Sequence, residues 1–129
     1  MGEREKIITL EDREWRLSKV TALVGSNILR KYLGSGRPEP QEFLAGLSDE
    51  DYASIQRACL LQVATITNSK PTPIMMIDGR WAIEEPTSAL VYALVLASLM
   101  FQLSDFFDEG ALKGFDQVML NLKPSNVPT

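Results

Sequence analysis

Between Pro86 and Ser104 the chain carries no charged side chain. The run reads Pro-Thr-Ser-Ala-Leu-Val-Tyr-Ala-Leu-Val-Leu-Ala-Ser-Leu-Met-Phe-Gln-Leu-Ser, and its apolar character continues through Phe106 and Phe107 to Gly110. Proline is tolerated in a first helical turn, where its missing N–H would have had no partner. Glu84 and Glu85 lie at that same end, where the helix dipole favours negative charge. At the other end, glycine readily takes the left-handed cap conformation. The spacing predicts one helix from Thr87 to Glu109. Such a helix is apolar nearly all round, so a single core-facing stripe would leave much of it uncovered. It must be wrapped by the rest of the chain, partly buried against another subunit, or surrounded by lipid. The run reaches the lower edge of the roughly 20 residues that a bilayer requires. Its flanks are acidic (Glu84, Glu85, Asp105, Asp108, Glu109), whereas an anchored span carries Lys or Arg on its cytoplasmic side. A buried core helix is therefore expected. A single membrane span over residues 86–104 is the alternative.

The remaining composition fits a wrapped helix. A chain of 129 residues makes one domain with one real core, expected over residues 1–122 with a disordered tail at 123–129. The net charge of −4 offers no basic footprint for nucleic acid. No basic-then-apolar leader opens the chain, which argues against secretion. The single cysteine, Cys59, excludes an internal disulfide and fits a reducing compartment. The sequence contains no histidine. That removes the commonest general base, the commonest metal ligand and the usual partner of a serine or cysteine nucleophile. No enzyme, cofactor or metal site is expected.

Upstream, Lys6 to Leu10 and Trp15 to Leu17 alternate around the polar turn Glu11-Asp12-Arg13-Glu14. This predicts a β-hairpin with Ile8, Leu10, Trp15 and Leu17 facing inward. Val20, Val24, Ile28 and Tyr32 step by four, a helix that Gly34 closes. Gly25 within it suggests close packing. A brief helix follows over residues 40–46. Ser48 then caps another, with Asp49, Glu50 and Asp51 in its first turn. Tyr52, Ile55, Cys59, Val63 and Ile66 share its stripe, so this helix is expected to run on, deeply buried, into the uncharged stretch 58–69. Residues 67–73 read as a loop. Asp78-Gly79 between apolar runs is a strong hairpin cue, because a type I′ turn needs φ > 0 twice. In that register Met76 opposes Trp81 and Ile74 opposes Ile83, while Met75 and Ile77 share the second face. Leu112, Phe115, Val118, Met119 and Leu122 form the stripe of a last amphipathic helix.

Several residues invite a chemical role that their context does not support. Cys59 has no histidine to activate it and lies on an apolar stripe, which reads as a structural thiol. Asp49, Glu50 and Asp51 point in different directions on a helix and lack EF-hand spacing, which reads as helix capping. Asp105, Asp108 and Glu109 are helical neighbours that read as a solvated end, with a basic partner as the alternative. Trp15 and Trp81 read as core packing or interface anchors. Met75, Met76, Met100 and Met119 read as gap filling or an adaptable binding surface. Gly34-Ser35-Gly36 follows a helix and lacks the lysine-threonine pair of a phosphate loop.

Residues 7–33 nonetheless carry a pattern. Ile7-Ile8-Thr9-Leu10 leads through an acidic turn to Trp15. Leu17-Ser18-Lys19-Val20 and Thr-Ala-Leu-Val-Gly follow, and then the helix Ser26-Asn27-Ile28-Leu29-Arg30-Lys31-Tyr32-Leu33. This resembles the opening of tail assembly chaperones of long-tailed bacteriophages and prophages. In that family a small β-unit bearing an aromatic precedes a basic residue and an amphipathic helix ending near paired basic residues. The resemblance implies a non-enzymatic, cytoplasmic protein of the host cell that coats the long helical tape measure protein until tail tube subunits assemble around it. It further implies that a longer product can arise by frameshifting near the end of the reading frame, where residues 123–129 lie. It brings no catalytic residue or cofactor.

The expected fold is α+β and predominantly helical: three main helices and one or two small β-hairpins around Leu90 to Phe107. The expected partner contacts are Met75 and Ile77 on the second hairpin face, with Leu112, Phe115 and Met119 on the last helix. Covering a long partner takes many copies, so self-association into homo-oligomers through head-to-tail contacts is expected as well.

Overall fold

The computed structural model describes residues 4–104. The elements follow in the order β1 (Glu5–Leu10), β2 (Arg13–Ser18), α1 (Ala22–Gly34), α2 (Pro40–Ala45), α3 (Asp49–Leu60), β3 (Val63–Thr67), β4 (Lys70–Pro73) and α4 (Ser88–Leu103). The four strands form one antiparallel sheet in the order β1-β2-β3-β4.

This corrects the predominantly helical expectation. Among the described residues there are four helices, not three, and a four-stranded sheet in place of small separate hairpins. The error lies at α3. It ends at Leu60, with Leu61 capping it through an N–H bonded to the Arg57 carbonyl. The segment expected to continue the helix is β3, paired to β2 through Leu17↔Val63 and Trp15↔Thr65. The segment read as a loop supplies β4, paired through Thr67↔Lys70 and Ala64↔Pro73. The physical reason is composition: Val-Ala-Thr-Ile-Thr is rich in β-branched residues, which lose rotamer freedom in a helix and fit a pleated surface.

The first hairpin forms with the inward face its alternation predicts, but its turn is only Glu11-Asp12, and Arg13 and Glu14, expected in the turn, belong to β2. Ile8, Leu10, Trp15 and Leu17 are buried on one face, and Ile8 lies across from Trp15. The Trp15 indole donates to the Leu10 carbonyl at 3.1 Å, and the Arg13 guanidinium sits 4.6 Å above its ring. The two-residue turn has no glycine. Glu11 and Asp12 themselves take φ of 53° and 59°, and Asn68 and Ser69 do the same at the β3–β4 turn with 53° and 64°.

α4 is the centre of the core. From Leu90 onward every residue but Val91, Tyr92 and Gln102 is buried, to Leu103. It packs against α3, α2, β2 and α1. Its polar side chains are spent on neighbouring backbone, which offsets their burial. The Ser98 hydroxyl donates to the Cys59 carbonyl at 3.2 Å. Gln102 donates to the Ser18 carbonyl at 2.8 Å and accepts from the Val20 N–H at 2.9 Å. Lys19 donates to the Phe101 carbonyl and to Ser104 Oγ, placing a cation where the helix dipole is negative. Thr87 is the N-cap, its hydroxyl accepting from the Leu90 N–H, so Pro86 lies outside the helix and not in its first turn. The helix has 16 residues, about 24 Å at 1.5 Å per residue. No helix among the described residues is long and apolar enough to cross a membrane. The part of the expected helix beyond Ser104, and the expected helix bearing Leu112, Phe115 and Met119, lie outside the described residues, as does the expected tail at 123–129.

Candidate partner-binding surface

α1 and α3 each turn a buried stripe into the core. Ile28 and Tyr32 of α1 point inward, Tyr32 meeting Phe43 of α2 edge-on at 5.4 Å. Ile55, Cys59 and Leu60 of α3 are buried. Lys31 ties the two helices together through an ion pair to Asp51 at 2.8 Å, and that pairing holds the Asp51 carboxyl below its usual range. Asp51 has a second tie, since its N–H donates to the Ser48 N-cap hydroxyl at 3.1 Å.

The stripes do not use all the apolar residues of α1. Leu23 is 86% exposed and Val24 40%. Both line an open groove of about 480 Å³ whose opposite wall is Ser54, Ala58 and Leu61 of the α3 end. Arg57 is the charged residue of that lining. Its guanidinium also donates to the Ile77 carbonyl and lies beneath Gly79, where an added Cβ would stand 3.1 Å from Nη1. Arg57 thus joins the groove to the loop that presents Ile77, itself 84% exposed, and Met76, 46% exposed.

The loop has a different geometry from the expected type I′ turn. Gly79 has φ of 92°, but Asp78 is not at positive φ. The Gly79 N–H donates to the Met76 carbonyl and the Met76 N–H to the Arg80 carbonyl, both at 2.8 Å. This is a three-residue loop with glycine in the left-handed position. Asp78 instead accepts from the Arg80 N–H at 3.1 Å and pairs with its side chain at 2.7 Å, an Asx-type turn that competes with a left-handed aspartate. The register moves by one residue: Met75 bridges Trp81, and the Ala82 N–H donates to the Ile74 carbonyl. The expected pairs Met76–Trp81 and Ile74–Ile83 do not form.

Of the expected contact residues, the structure therefore separates two. Ile77 stands in solvent, while Met75 is partly buried and packed on the core, so Met75 belongs to the fold. Leu112, Phe115 and Met119 lie outside the described residues. Leu23, Val24 and Arg57 were not anticipated as contacts. Val24, expected on the stripe Val20–Val24–Ile28–Tyr32, is exposed instead; for Leu23 the available signal was that it falls beside that stripe, an apolar residue the core has no place for.

The acid–base inventory of the region is small. Burial pushes the Cys59 thiol up to about 12, which keeps it neutral and unreactive. Among the described residues no cluster of three or more acidic or cysteine side chains is arranged to hold a metal ion. Trp15 is fully buried and Trp81 partly buried against the core, so neither is a free interface anchor. Comparison of the chain with protein-family models, with curated proteins and with solved structures finds no match.

Proposed function

We propose that this chain is a non-enzymatic binding protein that takes the apolar face of a partner helix in the groove between α1 and α3, acting in the host cytoplasm as a tail assembly chaperone. The partner is the tape measure protein, held until tail tube subunits are recruited. One observation carries the binding reading. Leu23, more than four-fifths exposed, lines a groove whose lining is otherwise apolar or uncharged apart from Arg57, and Arg57 also holds the loop that presents Ile77, exposed to the same degree. A large exposed apolar surface rimmed by polar groups marks an interaction site, and an amphipathic helix fits such a groove with anchors at i, i+3 and i+4. Arg57 selects a partner helix carrying a carboxylate beside its apolar stripe. The identity of the partner rests on the resemblance of residues 7–33.

The test is co-expression with the proposed partner, a long helical tape measure protein. The wild type is expected to raise the soluble yield of that protein. Leu23→Glu and Ile77→Glu are each expected to lower that gain several-fold while the chain's own melting temperature stays within a few degrees. If both variants solubilise the partner as well as the wild type does, the groove is not the binding site. If the wild type gives no gain, the chaperone reading fails.

A further inference from the structure

The two edges of the sheet are not alike. In a two-residue hairpin the pair flanking the turn exchanges both backbone hydrogen bonds, and such pairs recur at every second residue. At the β3–β4 hairpin these are Thr67↔Lys70 and Thr65↔Thr72. The positions of β4 that face outward are therefore Pro71 and Pro73, and proline has no N–H to offer another strand. That edge is closed to pairing. At the β1–β2 hairpin the bonded pairs are Leu10↔Arg13, Ile8↔Trp15 and Lys6↔Leu17. Glu5, Ile7 and Thr9 turn their N–H and C=O groups away from β2, and no described residue pairs with them. Ile7, moreover, leaves 51% of its side chain in solvent.

We propose that two copies of this chain pair antiparallel through β1, about a two-fold axis at Ile7, and so join their sheets into one. The occupant is a second copy because the strand is complementary to itself. A two-fold perpendicular to the sheet must oppose residues of the same parity, or the inner faces would end on opposite sides. Centred on Ile7, it sets Ile7 against Ile7 of the second copy and Glu5 against Thr9. All outward positions of both strands are then used, with roughly six backbone hydrogen bonds. Moving the axis to Lys6 opposes two lysines, which is unfavourable, and strands Thr9 beyond the pairing. Moving it to Ile8 carries Glu5 past the end of the strand. The Ile7 register places no like charges opposite each other. It is isologous and closes at two copies, unlike head-to-tail growth. The pairing is independent of the helix-binding groove, which involves α1 and α3.

The experiment uses the full chain in light scattering over a range of concentrations, with circular dichroism to check the fold. A monomer–dimer equilibrium is expected. Thr9→Pro removes an outward N–H from each strand, at a place where an edge admits proline. It is expected to weaken the dimer about tenfold or more. Ile7→Lys, which keeps the backbone intact and opposes two cations, is expected to do the same and stands in if the proline variant misfolds. Ile7→Cys is expected to form a covalent dimer on oxidation, because opposed residues at about 5.5 Å lie within disulfide reach. Glu5→Cys is expected to remain uncross-linked, since its two copies lie about 13 Å apart along the strands. A chain that is monomeric at every concentration overturns the proposal. So does a dimer that survives Thr9→Pro and Ile7→Lys, one that does not cross-link at Ile7→Cys, or one that cross-links as readily at Glu5→Cys.

Discussion

α4 and α1 are both rich in large apolar residues, and they use them in opposite ways. α4 is covered on nearly every side, down to Leu94, Val95 and Leu96, which have no exposed surface. α1 buries Ile28 and Tyr32, and leaves Leu23, Val24 and Leu33 in solvent. The difference separates apolar residues that hold the fold from those that are available to something else. It also explains why an uncharged run resembling a membrane span belongs to a core: its surroundings are supplied by the sheet and three other helices.

The sharpest way to break this comparison is to charge both helices. Leu94→Asp buries a carboxylate without a partner, at a cost of several kcal/mol against a total stability of about 5–15 kcal/mol. It is expected to abolish soluble folding, as judged by yield and the far-ultraviolet dichroism of what remains. Gly79→Val comes next. A β-branched residue there would have to take the 92° φ and press on the Arg57 guanidinium, at about 1–3 kcal/mol, read as a lower denaturant midpoint. Leu23→Glu is expected to change stability by less than about 0.5 kcal/mol. If Leu23→Glu lowers the melting temperature as far as Gly79→Val does, α1 is a core helix on both sides and the contrast fails.

The smallest effect belongs to Asp51→Asn. The Lys31 ammonium lowers the Asp51 carboxyl through a hydrogen bond and through its charge. A group whose pKa falls on folding adds stability above its unfolded pKa and loses it as pH falls through the folded value. The wild type is therefore expected to lose slightly more stability than Asp51→Asn between neutral and acid pH. Paired melting curves would show this, and parallel curves would mean that the exposed pair contributes nothing.

The first hairpin and the helix after it were legible because each carries one period, the Ser48 cap because a hydroxyl precedes three acidic residues, and the central helix because its uncharged run is too long for a strand. The β3–β4 hairpin was not. Val63, Ala64 and Thr65 are all buried, so β3 shows no alternation. Without alternation, a buried strand cannot be told from a buried helix by spacing. The usable signals were its β-branched content and the turn residues Asn68-Ser69. Asp78-Gly79 misled in a different way. The dipeptide marks a turn correctly, but the Asp78 carboxylate has its own bond to make with Arg80, and the loop grows by a residue to allow it. On the candidate surface, Ile77 was readable as an apolar residue at a turn. Arg57 was not, since its role depends on contact with a loop twenty residues away.

The position of α4 in the chain also has a consequence for synthesis. A ribosome completes β1, β2, α1, α2 and α3 well before it reaches Leu103. Through that interval β2 and α3 lack the helix that packs against them in the finished fold. Domains tend to fold as units while they are being made, and species with uncovered apolar surface are the ones that aggregate. The nascent chain therefore passes through its most adhesive state late, and release from it waits on the last described helix. A pause made while α4 is still inside the ribosome would lengthen that exposure, whereas one made after α4 has emerged would leave it unchanged.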